Sequence, residues 1–377
     1  MGSNFVQKEG NHVVETEQLG RDMKEEIERC TKGLESNDAR SSCCIYKVPL
    51  KFMENNDKHW YRPRIVSIGP YYYRKDFNSD YKYQCLGYFQ SRTQERGIGL
   101  EDYMKKLHPL ETKARQCYSG EINLDSGEFL EMMVLDASFI LELFYKFQDP
   151  AGLLETHESL APLKWRLPYF YVDFLLLKNQ IPFFVLQELF DISKIPNEEN
   201  SPSLSLLALR FFNNIMRRPY RDIERYANPE NPPLHLLDLV RSSLIPNDPM
   251  PPQKEDDTQQ FKFISYFSRL YQKHIQFISC FLRLPQKDDD TQIQFILCIS
   301  KLCRAGIKVR PGKAGTFLAV KFEYGVFEIP SITINDLMRY LLLNCVAFEQ
   351  CHKCCSKHVT VYATLLDCLV NTSADVQ

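Results

Sequence analysis

The chain has 377 residues, thirteen of them cysteine, with 46 Lys and Arg against 48 Asp and Glu for a formal net charge of −2. That length supplies one large or two ordinary domains, and the near-neutral balance excludes a global field that would draw nucleic acid or an anionic membrane. The polar N-terminus has no apolar signal core and no run reaches the ~18 apolar residues that span a bilayer, so the expectation is a soluble, cytoplasmic chain with free thiols.

Residues 1–18 are polar and read as a flexible N-terminus. Leu19, Met23, Ile27, Cys30 and Leu34 recur at helical spacing among charged residues, predicting an amphipathic helix over 19–42. From 43 onward a single helical domain is expected. Its first stretch, Ile45-Tyr-Lys-Val-Pro and Trp60 to Tyr73, is broken by Pro49, Pro63, Gly69 and Pro70 and predicts extended chain wrapping the core through its aromatics. Tyr103, Met104, Leu107, Ala114 and Tyr118 then mark a helical stripe interrupted near Pro109.

Asp125-x-x-Glu128 has the form of a capping box opening a helix over 129–147. Asp136 falls inside that helix's apolar stripe of Phe129, Met132, Met133, Ile140, Leu143 and Phe144. A carboxylate placed there must find partners or be pushed up in pKa, so Asp136 is a candidate buried acid or base as well as a candidate structural residue. The densest apolar passage, Asp173 to Phe190, contains Pro182, which cannot sit deep in a continuous helix. Two short buried helices are predicted, one ending near Asn179 and one starting at Pro182.

Leu204 to Met216 and Leu234 to Arg241 predict further helices, and Arg217 to Arg225 a solvated charged face. A variable segment at 246–292 carries a two-copy repeat: Pro252-Gln-Lys-Glu-Asp-Asp-Thr-Gln returns as Pro285-Gln-Lys-Asp-Asp-Asp-Thr-Gln, with each copy's Phe/Ile run extending the unit to 298. Alternation of apolar and charged residues over about 305–334 predicts a small antiparallel β element, followed by a helix from Asp336 capped by Thr333 or Asn335 and a last helix through Leu369. The fold class is therefore mainly α, a large helical domain with a small antiparallel β element near the C-terminus.

Cys351, Cys354 and His358 have ligand-like spacing, but a closed zinc site needs a fourth ligand that the stretch does not offer. Asn371-Thr-Ser matches the glycosylation pattern. The usual hydrolase, metalloprotease and nucleotide-binding motifs are absent, so no cofactor is expected.

Several passages together resemble the plant family known as domain of unknown function 247: Ile45-Tyr-Lys-Val-Pro, Val66-Ser-Ile-Gly-Pro-Tyr71, Met132 to Phe144, Leu175-Leu-Leu-Lys-Asn-Gln-Ile-Pro-Phe-Phe-Val-Leu186, His235-Leu-Leu-Asp-Leu239, Phe327-Glu-Ile-Pro330 and Phe348-Glu-Gln-Cys-His352. The chain departs from that pattern at Tyr72 and Tyr73, where the family usually has a His pair, and at Lys178, where it usually has Glu. The resemblance implies no settled biochemical activity. Some members are self-incompatibility determinants in grasses, which implies a recognition or signalling role with a protein or peptide partner and no nucleic acid. Members commonly continue to a C-terminal membrane helix, so this C-terminus is expected to be truncated and full-length relatives to be membrane-anchored, some of them at the plasma membrane. The alternatives are an enzyme acting on a small molecule through a buried carboxylate, and a non-catalytic scaffold or decayed family copy.

Overall fold

The computed structural model describes residues 42–53, 57–73, 79–146, 165–194, 201–226, 232–246, 298–312 and 315–370. The expected N-terminal arm and helix, nearly all of the repeat and Asn371 lie outside the described residues. The chain separates into two compact units, Met1–Cys43 and Cys44–Gln377, and the elements that follow belong to the second.

Its first stretch is extended chain with short 3-10 turns at Leu50–Phe52, Asp57–Tyr61 and Pro70–Tyr72. Helix α1 (Ser79–Gln94) follows, then α2 (Leu100–Leu107), a 3-10 turn at Pro109, and α3 (Glu111–Gln116). The capping box is present. Glu128 N–H donates to Asp125 Oδ1 at 2.8 Å and Asp125 N–H donates to Glu128 Oε2 at 3.3 Å. It opens α4 (Ser126–Lys146), which is buried around almost its whole circumference and packs against α1, α2 and α3.

The central passage divides earlier than its composition suggests. Helix α5 (Leu167–Asp173) ends six residues before Asn179, and α6 (Phe183–Ser193) begins after Pro182, its N-cap. The turn between them is stable without helix because buried amides replace the missing bonds. Asn179 Nδ2 donates to Asp173 O at 2.9 Å, and Gln180 Nε2 donates to Phe174 O at 2.7 Å and Leu176 O at 2.9 Å. Side chains that bond nearby backbone compete with the helix ladder, and here they win.

Then come α7 (Leu204–Met216), α8 (Tyr220–Glu224), α9 (Leu236–Ser242) and α10 (Ile299–Arg304). The expected solvated face at 217–225 is interrupted at Ile223, which is buried in the core, and at Arg218, which turns inward to donate to Ser243 O at 2.7 Å. The antiparallel element is the hairpin of β2 (Lys321–Glu323) and β3 (Val326–Pro330), joined by a two-residue turn with φ 50° at Tyr324 and 73° at Gly325. Strand β1 (Lys308–Gly312) adds to the other side of β3 in parallel, making the three-stranded sheet mixed. Asn335 Oδ1 accepts from Met338 N–H at 2.9 Å and caps α11 (Asp336–Cys351), which packs on α5, α9 and α12 (His358–Leu369). Phe327 of β3 joins Leu365 and Leu369 of α12 in a small apolar cluster apart from the main core. Among the described residues no helix is long and apolar enough to cross a membrane.

Candidate functional site

Asp136 is 1% exposed and meets partners from segments far away in sequence. Its Oδ1 lies 2.7 Å from the ammonium of Lys82 on α1, itself buried, and its Oδ2 accepts from Gly69 N–H at 2.7 Å. Lys82 also donates to Ser67 O at 2.5 Å. Gly69 has φ 73°, and a Cβ there would collide with the Gln180 carbonyl oxygen, so no other residue brings the backbone this close to the carboxylate. Helix α1, whose mixed tyrosine and polar residues show little apolar periodicity, is not legible in the sequence, and neither is the cation it supplies.

Asp173 forms a second buried carboxylate site, accepting from Arg64 N–H at 2.8 Å and from Ile65 and Val66 N–H at 2.9 Å each. Burial pushes its carboxyl up to about 6, against the pull of those three donors. Asn179 Oδ1 accepts from Ile68 N–H at 2.7 Å, and Leu177 N–H donates to Asn344 Oδ1 at 2.9 Å. The turn from Leu177 to Gln180 is thus a buried polar latch between the wrapping segment, α5 and α11. Lys178 and Tyr72 meet. The Lys178 ammonium lies 4.9 Å from the Tyr72 ring centroid and 5.7 Å from that of Tyr71.

The third polar cluster borders open space. Arg241 of α9, only 3% exposed, donates from Nε to Glu349 Oε1 at 2.9 Å and from Nη2 to Ser356 O at 2.5 Å. It also lies 3.4 Å from Asp238 Oδ1. Glu349 Oε2 accepts from Thr360 N–H at 2.8 Å and Thr360 Oγ1 at 2.7 Å, closing the N-terminus of α12 with negative charge. Beside this network lies a cleft of about 260 Å³, walled by Tyr226, Pro232, Pro233, Leu234 and Leu239 and carrying Asp238, Ser242, Ser243, His352, Cys354 and Cys355. His352 stacks on Phe348 with ring centroids 5.2 Å apart and bonds Tyr46 Oη through Nδ1 at 2.9 Å.

His235 holds α9 in place by an unusual cap. Asp238 N–H donates to its Nδ1 at 3.2 Å, leaving the ring proton on Nε2, which donates to Cys44 O at 3.1 Å. Burial pulls this imidazole down to about 4, with the Asp238 charge opposing. A neutral ring in the fold and an ordinary ring, pKa about 6.5, in the unfolded chain make the unfolded state bind more protons in acid. The contribution of His235 is therefore fully present above about pH 6.5 and lost as pH falls toward 4, roughly 2 kcal/mol between pH 7 and 5. Asp173 acts oppositely. Its raised carboxyl makes the fold more stable as pH falls through about 6 toward the ordinary value near 4. Urea unfolding of the natural chain and of H235N, whose amide oxygen can still cap, separates the two: the variant is expected to gain stability relative to the natural chain as pH falls from 7 to 5. An unchanged difference between the two proteins at those pH values counts against the neutral cap.

Cys351 and Cys355 are half-buried, while Cys354 and His358 are exposed. Cys355 instead donates its thiol to His352 O at 3.3 Å. Among the described residues no group of three His, Cys, Asp or Glu side chains is placed to hold a metal ion.

A family model described as a plant protein of unknown function, DUF247, matches residues 45–377. A UPF0481 protein of Arabidopsis thaliana is 31% identical over 342 residues, covering 89% of this chain and 67% of its own length. A putative UPF0481 protein of the same plant is 22% identical over 419 aligned residues, covering 91% of this chain and 75% of its own length. No solved structure matches the chain.

Proposed function

The chain belongs to the DUF247 family of plant proteins, and from that premise we propose that it is a non-catalytic recognition protein that seats a protein or peptide partner in the cleft beside α9, in the manner implied by the family's self-incompatibility determinants. The observation that carries this reading is the composition of the cleft. Asp238 and Leu239 of the motif His235 to Leu239 and His352 of the motif Phe348 to His352 contribute to it, while Glu349, His235 and neighbouring Arg241 are engaged with one another or with backbone. What lines the opening is proline, leucine, tyrosine and serine together with Asp238, His352, Cys354 and Cys355, apolar surface with a few polar groups that suits an apolar or proline-bearing segment. The enzymatic reading through Asp136 has less support, since both its oxygens are engaged by Lys82 and the Gly69 amide.

Site-specific photo-crosslinking tests the proposal. With a photoreactive phenylalanine at Tyr226 in the cleft wall, a discrete cross-linked partner is expected from plant reproductive tissue, competed away by the unlabelled chain. The same group at Tyr324, the fully exposed hairpin turn, should capture none. P233R, placing a charged side chain in the wall, is expected to weaken capture roughly tenfold, a loss typical of one interface residue that matters. Equal and non-saturable capture from both positions would sink the proposal and leave the scaffold reading standing.

A further inference from the structure

Two cysteines behind the cleft are arranged for a covalent step. Cys44 and Cys117 are both buried and both present as thiols. They immediately precede Ile45 and Tyr118, which form a parallel β-bridge. Cys44 N–H and Ile45 N–H donate to Cys117 O at 2.9 and 2.8 Å, and Ser119 N–H donates to Ile45 O at 2.9 Å. Residues in register on neighbouring parallel segments stand about 5 Å apart, and those one position before a bridge share a face. That separation lies within the ~4.4–6.8 Å that a disulfide accommodates between Cα atoms. The Cys44 side chain is near enough to act as a hydrogen-bond donor toward the Cys117 sulfur. Cys117 in turn donates to Lys113 O at 3.4 Å. The bond from Cys44 holds the Cys117 thiol below its ordinary value, with burial opposing and the Lys113 ammonium assisting, and it is the thiolate that attacks.

We propose that Cys44 and Cys117 form a reversible dithiol–disulfide site, oxidised by a low-molecular-weight disulfide such as oxidised glutathione. The Cys117 thiolate attacks one sulfur of the oxidant, making a mixed disulfide and releasing one thiolate. Cys44 then gives up its proton, attacks the Cys117 sulfur and expels the second thiolate. The pair loses two protons and two electrons, and the oxidant is reduced to two thiols. Because both sulfurs are buried, the oxidant enters through local opening of the 44–46 segment, which three backbone bonds tie to 117–119. The cross-link pins a segment that supports both walls of the cleft, since Cys44 O accepts from His235 and Tyr46 bonds His352.

The test uses the full chain equilibrated in mixtures of reduced and oxidised glutathione, quenched in acid, alkylated and mapped by peptide mass spectrometry. A peptide pair joining Cys44 to Cys117, two hydrogens lighter than the free thiols, is expected to accumulate and to disappear on adding dithiothreitol. It should be absent in C117S and retained in C43S. The oxidised natural chain should melt about 5 °C higher, as expected for closing a long loop in a domain of this size. The proposal is overturned if both thiols remain fully alkylated under conditions that put glutathione on the exposed Cys354, or if Cys117 pairs with Cys43 instead. The mapping is done on the natural chain, so neither outcome depends on a variant folding or on the cleft binding anything.

Discussion

Replacing Arg241 by methionine is expected to destabilise the domain by about 3–5 kcal/mol, the range for removing one partner of a buried ion pair. The side chain is nearly invisible to solvent and holds Glu349, which is wholly buried, together with the Ser356 carbonyl and hydroxyl and one oxygen of Asp238. Methionine fills much of the same volume but leaves the Glu349 charge uncompensated. Adding E349Q is expected to recover part of the loss, because the amide carries no charge and its oxygen still accepts from the Thr360 N–H at the start of α12. Unfolding in urea, with near-UV circular dichroism to confirm native packing at zero denaturant, measures both. A cost below about 1 kcal/mol for R241M would place the pair with the weak surface bridges and remove it as the frame of the cleft.

The second large effect concerns Lys82 and Asp136. K82M is expected to cost about 3–5 kcal/mol for the same reason, since Asp136 would lose the ammonium 2.7 Å from its Oδ1 while staying buried. The double variant K82M/D136N should be more stable than K82M alone, because the Asn oxygen still accepts from Gly69 N–H and no buried charge is left. This recovery distinguishes a structural pair from a catalytic acid, for which restoring stability would not restore turnover. An additive result, with the double variant losing the sum of the two single losses, would show that the groups are not coupled across their 2.7 Å contact.

Local chemistry was legible where it acts over a few residues. The Asp125–Glu128 box, the Asn335 cap and the break at Pro182 each follow from one residue's backbone preference or one short hydrogen bond. The apolar stripes of α4, α7 and α11 follow from burial on a helical period. Helix α1 was not legible, because its few buried positions, among them Lys82, Cys85 and Phe89, are too mixed in type to announce a face. The early end of α5 was not legible either, since the Asn179 and Gln180 amides that replace the helix bonds also need Val66 and Leu237 as distant partners.

By itself, then, the sequence determined that this is a mainly helical chain, carries the family's motifs in order, and buries a carboxylate at Asp136. Only the tertiary structure decided what that carboxylate meets, that Lys178 rests against Tyr72, that two distant motifs both contribute to one cleft, and that Cys44 lies beside Cys117. The physical reason is range. Caps, breaks and periodicity are set by interactions within a turn or two of the backbone, whereas the partner of a buried charge or thiol is chosen by packing between segments that carry no local mark of one another.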